Sequence, residues 1–234
     1  MASLYGRNSL LDIVERTARE IFVPLTVGGG LRSVEDIRAV LRAGADKVSL
    51  NTGAIARPEL ITEASRMFGS STVVVSVEAI RMPNGGYEAH TDNGREGTGL
   101  DAIDWAVHAA ELGAGELLVT SIDQEGTGKG YDLELTRAIS EKVSIPVIAS
   151  GGAGKPGDIS LAVESGKADA VSVASVLHYN AVQEIELGAD AFEGEGNTRF
   201  LENRTPPSWI EAATIEQLKG NLVGAGLQTR QEGQ

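Results

Sequence analysis

The sequence predicts an α/β fold, a (βα)8 barrel of the TIM type with an internal half-barrel repeat, and three observations carry that prediction. One passage is written twice, about 122 residues apart: Pro24 to Gly30 leads through Asp36-Ile37 and Gly44 to Asp46, Ser49 and Thr52, and Pro146 to Gly152 leads through Asp158-Ile159 and Gly166 to Asp169, Ser172 and Ser175. Each copy reads strand, glycine-rich turn, amphipathic helix, strand, small polar turn. Around these copies, short and uniformly apolar runs alternate with helical patterns, as buried parallel strands joined by helices do. The length of 234 residues suits one such barrel, whereas either half alone is too short and one-sided to bury a core. A single domain over residues 1–234 is therefore expected.

Six runs read as strands: Val23 to Val27, Lys47 to Leu50, Thr72 to Val77, Glu116 to Thr120, Ile145 to Ala149 and Ala170 to Val173. The intervening helices are expected over Leu10 to Ile21, Val34 to Ala43, Glu59 to Phe68, Leu100 to Leu112, Leu133 to Lys142 and Ile159 to Glu164, with a last one near Thr214 to Leu222. Ser33 and Asp132 stand where N-caps belong, and Gly44, Gly69, Gly113 and Gly166 where helices stop. Pro83-Asn84-Gly85-Gly86 signals a hairpin, placing a small β-ribbon over the barrel mouth. A polar insertion is expected at about 180–207, before the final helix. The second copy is preceded by two strands that the first lacks, so the sequence predicts a barrel incomplete at the N-terminus, with its first two strands missing.

Composition narrows the function. A net charge of -13 argues against a nucleic-acid-binding surface and against a basic membrane patch. No cysteine and only three scattered histidines offer no disulfide framework and no metal-ligand cluster, so neither a metal nor a cofactor is expected. With no long apolar run and no leader-like N-terminus, a cytoplasmic protein is expected.

The residues that follow strand C-termini form the working face of such a barrel. The two glycine turns, each partnered by a small polar helix start (Asn51-Thr52 and Ala174-Ser175), have the form of paired phosphate cradles, in which glycine admits oxygens close to the backbone N–H groups. Glu78 closes an otherwise apolar run and is either capped by backbone donors or poised as a general acid or base. Asp123 to Gly130 is a glycine-rich loop that reads as flexible connection or as a lid. At the other end, Asp46-Lys47 and Glu116 form a solvated rim or a docking surface.

Four stretches then closely resemble one family: Pro24 to Ser33, Gly44 to Thr52, Leu118 to Thr127 and Ile148 to Gly154 are similar to the cyclase subunit of imidazole glycerol phosphate synthase, over about residues 2–179 and the last helix. The resemblance implies a lyase of histidine biosynthesis that takes ammonia from a glutaminase partner, forming a heterodimer, and adds it to a bis-phosphorylated ribulosyl-formimino aminoimidazole nucleotide. It implies one phosphate site at Gly30, Asn51 and Thr52, and a second at Gly126, Gly152, Ala174 and Ser175. Asp46, Lys47 and Glu116 match positions around the ammonia entrance on the glutaminase face. The family's two catalytic carboxylates are aspartates; the strand bearing the first is absent here, and Glu78 stands at the second. Glu78, Gln124-Glu125 and the polar insertion look more like divergent second copies of the cyclase, in which ammonia serves sugar amidation for surface polysaccharides. A non-catalytic scaffold that only binds the glutaminase is the remaining alternative.

Overall fold

The computed structural model describes residues 7–184 and 206–230. Its strands are β1 (Thr26–Gly28), β2 (Lys47–Leu50), β3 (Val73–Arg81), β4 (Tyr87–Thr91), β5 (Glu96–Asp101), β6 (Glu116–Ser121), β7 (Val147–Ser150) and β8 (Ala170–Val171). The six parallel strands stand in the order β1-β2-β3-β6-β7-β8, with β4 and β5 added as an antiparallel ribbon on β3. Parallel neighbours need crossovers, and helices supply them: α1 (Arg7–Glu20), α2 (Val34–Arg42), α3 (Thr52–Ala56), α4 (Glu59–Phe68), α5 (Ala102–Glu111), α6 (Leu133–Ser140), α7 (Pro156–Glu164), α8 (Ser175–Glu184) and α9 (Ile215–Gly224). This is the α/β architecture with a parallel sheet that the repeat predicted. Among the described residues β1 and β8 do not pair with one another.

Burial follows position in the sheet. Val73, Val75, Val77, Leu117, Val119 and Val147 on the central strands are almost wholly buried, packed against Ile37, Leu60, Ile61, Leu135 and Ile139 from the helices. The expectation of uniformly buried strands fails at the edges: in β1 only Val27 is buried, neither residue of β8 is, and Phe22 and Val23 are exposed. An edge strand has a neighbour on one side only, and its apolar run is covered accordingly.

The predicted caps form. Ser33 Oγ accepts from the Asp36 N–H at 3.1 Å while Asp36 Oδ2 accepts from the Ser33 N–H at 3.1 Å, a reciprocal capping box. Asp132 Oδ1 accepts from the Leu135 N–H at 3.0 Å. Gly44, Gly69 and Gly113 take positive φ at or just beyond helix ends, whereas at the end of α7 Lys167 takes the left-handed conformation in place of Gly166. Gly166 is instead a close approach, since a Cβ there would lie 2.6 Å from the Ala162 carbonyl oxygen.

The repeat survives in hydrogen bonds. Asp46 Oδ2 accepts from the Leu25 N–H at 2.8 Å, and in the second copy Asp169 Oδ2 accepts from the Val147 N–H at 2.9 Å. Asp158 Oδ2 accepts from Gly154 and Lys155 at 2.9 and 3.0 Å, as Asp36 does from Arg32 and Ser33. Lys167 is the one residue by which the second copy is longer.

Other boundaries differ from expectation. Helix α5 begins at Ala102, not Leu100, because β5 runs to Asp101 and the Asp101 carboxylate caps Ile103 and Asp104 at 2.9 and 3.0 Å. The polar insertion does not begin at Asn180, because α8 continues to Glu184; its stretch 185–205 lies outside the described residues. Among the described residues no helix is long and apolar enough to cross a membrane.

Candidate active site

The glycine turns after β1, β6 and β7 lie at the C-terminal end of the sheet, where they line two concavities. The first, about 350 Å³, is bounded by Gly28 to Gly30 after β1, Asn51 and Thr52 after β2, and Ser76 and Glu78 on β3. The second, about 60 Å³, is bounded by Gly126, Ser150 to Gly152, Ala174 and Ser175. Every residue expected to bind phosphate thus falls in one concavity or the other: Gly30, Asn51 and Thr52 in the first, and Gly126, Gly152, Ala174 and Ser175 in the second.

Glycine is required at Gly152, where φ is 103° and a Cβ would lie 2.1 Å from the Gly130 carbonyl oxygen. The Gly130 N–H donates to the Gly152 carbonyl at 2.8 Å, tying the Gly126 to Gly130 loop to the β7 turn. The loop read as flexible connection or as a lid is therefore anchored at both ends, since the Arg81 N–H donates to Asp123 Oδ2 at 2.8 Å.

Glu78 is not the last residue of its strand. β3 continues to Arg81 and pairs with β4 in the register Glu78↔His90, Ala79↔Ala89, Ile80↔Glu88 and Arg81↔Tyr87. Ala79 and Ala89 are buried, so Glu78 and His90 share the opposite face, toward the mouth. Burial pushes the Glu78 carboxyl above the usual carboxylate range; the Gly94 backbone N–H, the Asn51 amide and His90 facing it pull the other way, and Asp92 adds to the rise. Two buried oxygens here, Glu78 Oε2 and Asn51 Oδ1, have no hydrogen-bond partner among the described residues. Such orphaned acceptors are costly unless a ligand donates to them, and both belong to residues lining the first concavity.

The ribbon turn completes this wall. The Asp92 N–H donates to Thr52 Oγ1 at 3.2 Å, and Asn51 Nδ2 donates to the His90 carbonyl at 3.1 Å. Arg32, His90, Asp92 and Asn93 were not singled out from the sequence. Arg32 had a signal, as the first cation after the glycine turn; the ribbon residues had none, because only the β3–β4 register brings them to the mouth.

At the opposite end of the sheet Lys47 and Glu116, the first residues of β2 and β6, form a half-buried ion pair. Asp46, grouped with them from the sequence, instead spends its carboxylate on the Leu25 N–H.

The family model described as histidine biosynthesis protein matches residues 1–183. The chain belongs to that family. Among its relatives, the imidazole glycerol phosphate synthase subunit HisF of Alkaliphilus metalliredigens (strain QYMF) is 54% identical over 181 residues, covering 77% of this chain and 72% of that one. The subunit of the same name from Symbiobacterium thermophilum is 54% identical over 177 residues, 76% of this chain and 70% of the relative. That of Streptomyces griseus subsp. griseus is 52% identical over 186 residues, 80% and 74% of the two chains. Both glycine turns, Glu78 and the Lys47–Glu116 pair fall within the residues matched to the histidine biosynthesis family.

Proposed function

We propose that this chain is a cyclase subunit of imidazole glycerol phosphate synthase, a lyase that uses ammonia from a glutaminase partner to convert a bis-phosphorylated ribulosyl-formimino aminoimidazole nucleotide into imidazole glycerol phosphate. The observation that carries the reading is the pair of glycine-lined concavities at one end of one sheet, with Glu78 in the wall of the first. A substrate bearing a phosphate at each end is held by both, and its reacting centre then lies across the mouth between them. Backbone N–H groups supply local positive potential that the net charge of -13 does not.

In this reading Glu78 is the general acid or base. Its raised pKa brings it toward the range in which a carboxyl both gives and takes a proton. Its unpartnered Oε2 and the Asn51 Oδ1 accept from N–H or O–H groups of the bound substrate. The Lys47–Glu116 pair, at the other end of the strands, marks the face on which the glutaminase docks and through which ammonia arrives.

Glutamate rather than aspartate at Glu78 favours one second reading, ammonia transfer to a sugar. Supplying the nucleotide substrate with an ammonium salt and no glutaminase separates the readings. Imidazole glycerol phosphate formation is expected. Its absence, with amidation of a sugar supplied in a parallel reaction, would establish the second reading; no turnover of either substrate, with glutaminase binding retained in a separate pull-down, would leave a scaffold.

A further inference from the structure

We propose that His90 is a positioning residue for Glu78, fixing the carboxyl through the ribbon turn and Asn51 so that it meets substrate in one orientation. The proposal rests on the reading of Glu78 as the acid or base of the first concavity. His90 sits opposite Glu78 in the β3–β4 register and on the same face. Its ring Nδ1 is 3.1 Å from the Gly94 carbonyl oxygen, an arrangement that requires Nδ1–H as donor and leaves Nε2 free of this contact. Its backbone carbonyl accepts from Asn51 Nδ2 at 3.1 Å.

These bonds close a circuit. The Gly94 N–H and the Asn51 amide both face the Glu78 carboxyl, and both are held by His90, one through the ring and one through the main chain. Gly94 is itself constrained, at φ 76° and with Ile122 of the β6 end within 3.1 Å of where a Cβ would lie. The ring therefore governs where the turn presents its N–H. The titratable side chains facing Glu78 are His90 on β4 and Asp92 in the turn, and Asp92 lies 3.9 Å from Arg95. Asn51, just after β2, and Thr120, level with Glu78 on β6, carry no charge.

The test compares H90F, which removes both ring hydrogen bonding and charge, with H90N, which keeps an N–H donor near the Nδ1 position. In the 13C-labelled full chain the side-chain carboxyl signal of Glu78, identified by its loss in E78Q, is titrated, and the 15N–1H signal of Gly94 is followed. H90F should move the Glu78 midpoint upward by roughly half a unit to one unit, the scale of one removed neighbouring charge, and displace the Gly94 signal. H90N should raise the midpoint but leave Gly94 near its original place. If the Glu78 midpoint and the Gly94 signal stay where they were in folded H90F, the proposal is wrong. Should H90F fail to fold, an unmoved Glu78 midpoint in H90N overturns it equally. The titrations need no turnover, so they decide the role of His90 separately from the ammonia assay. Where that assay works, H90F should lower kcat by about tenfold and change KM for the nucleotide less than twofold; a change confined to KM would place His90 in substrate binding instead.

Discussion

Burial raises the pKa of Glu78, so its ionisation opposes folding. Its unperturbed value is 4.5, and the folded chain keeps the proton over a window above that in which the unfolded chain has released it. The contribution of Glu78 is thus most favourable below about 4.5 and is lost as pH rises through the raised folded value. Urea midpoints measured across this window should fall more for the natural chain than for E78Q, which has no proton to lose; parallel profiles would mean that Glu78 is not perturbed. In the ammonia assay E78Q should lower turnover by about a hundredfold, the usual scale for a lost general acid or base. At Gly152 the expectation is structural and local. With φ at 103° and the Gly130 oxygen 2.1 Å from a new Cβ, G152A should abolish phosphate binding in the second concavity, read as loss of anion density there in phosphate-soaked crystals, and leave the first occupied. Both residues were legible in the sequence, Glu78 as a carboxylate in an apolar run and Gly152 as one half of a repeat. His90 was not, because a histidine in an alternating ribbon acquires a neighbour only when the register is set.

Among the elements, the ribbon is the one the sequence showed least of. The turn at Pro83 to Gly86 was legible, but β5 was not: Glu96–Asp101 holds two glycines and mostly exposed side chains, and its strand form comes from pairing with β4. Helices α3 and α8 are legible in the sequence only as starts, at Asn51-Thr52 and Ala174-Ser175: α3 has five residues, too few for a periodic pattern, and the end of α8 reads as insertion. What anchors the ribbon's first strand is Tyr87, whose hydroxyl donates to Asp132 at 3.0 Å while Arg81 lies over its ring at 4.6 Å. Burial, then the Asp132 carboxylate, pushes the Tyr87 hydroxyl well above its usual range, so it stays a donor. Asp132 was legible as the cap of α6, but its bond to Tyr87 was not. Because it serves both, D132A should cost more than the ~1 kcal/mol of a typical cap, adding the penalty of a buried hydroxyl left without an acceptor. Y87F alone should cost about 1 kcal/mol, and in the Y87F/D132A pair the losses should sum to less than the two singles; strict additivity in denaturant melts would show that the bond contributes nothing.

Across the whole molecule the parallel sheet has a polarity, with the two concavities at one end and the Lys47–Glu116 pair at the other. If the latter end receives the glutaminase, K47E should weaken glutaminase binding or lower glutamine-driven turnover at least tenfold, while turnover with added ammonium salt changes little. Equal losses with both nitrogen sources would place the pair in the fold rather than at the partner face. The sheet's edges bear on solution behaviour as well. Phe22 is 99% exposed and Val23 68%, both just ahead of edge strand β1. An exposed apolar edge is a template for another chain, so F22K should reduce any concentration-dependent association seen by sedimentation. That the core would be central and the edges poorly covered was not legible, since apolar runs look alike whether flanked on one side or two.

The aspartate clamps at Asp46 and Asp169 differ in one respect: the second closes around an additional residue, Lys167, held at φ 58°. The clamp forms all the same, at 2.9 Å against 2.8 Å. A spare residue just before β8 is absorbed at one left-handed position, whereas at Gly152 even a methyl group collides. The second copy of the repeat therefore accepts a change of length at the Lys167 position that its glycine turn does not, and a residue gained or lost there leaves the strand that follows in register with its neighbour.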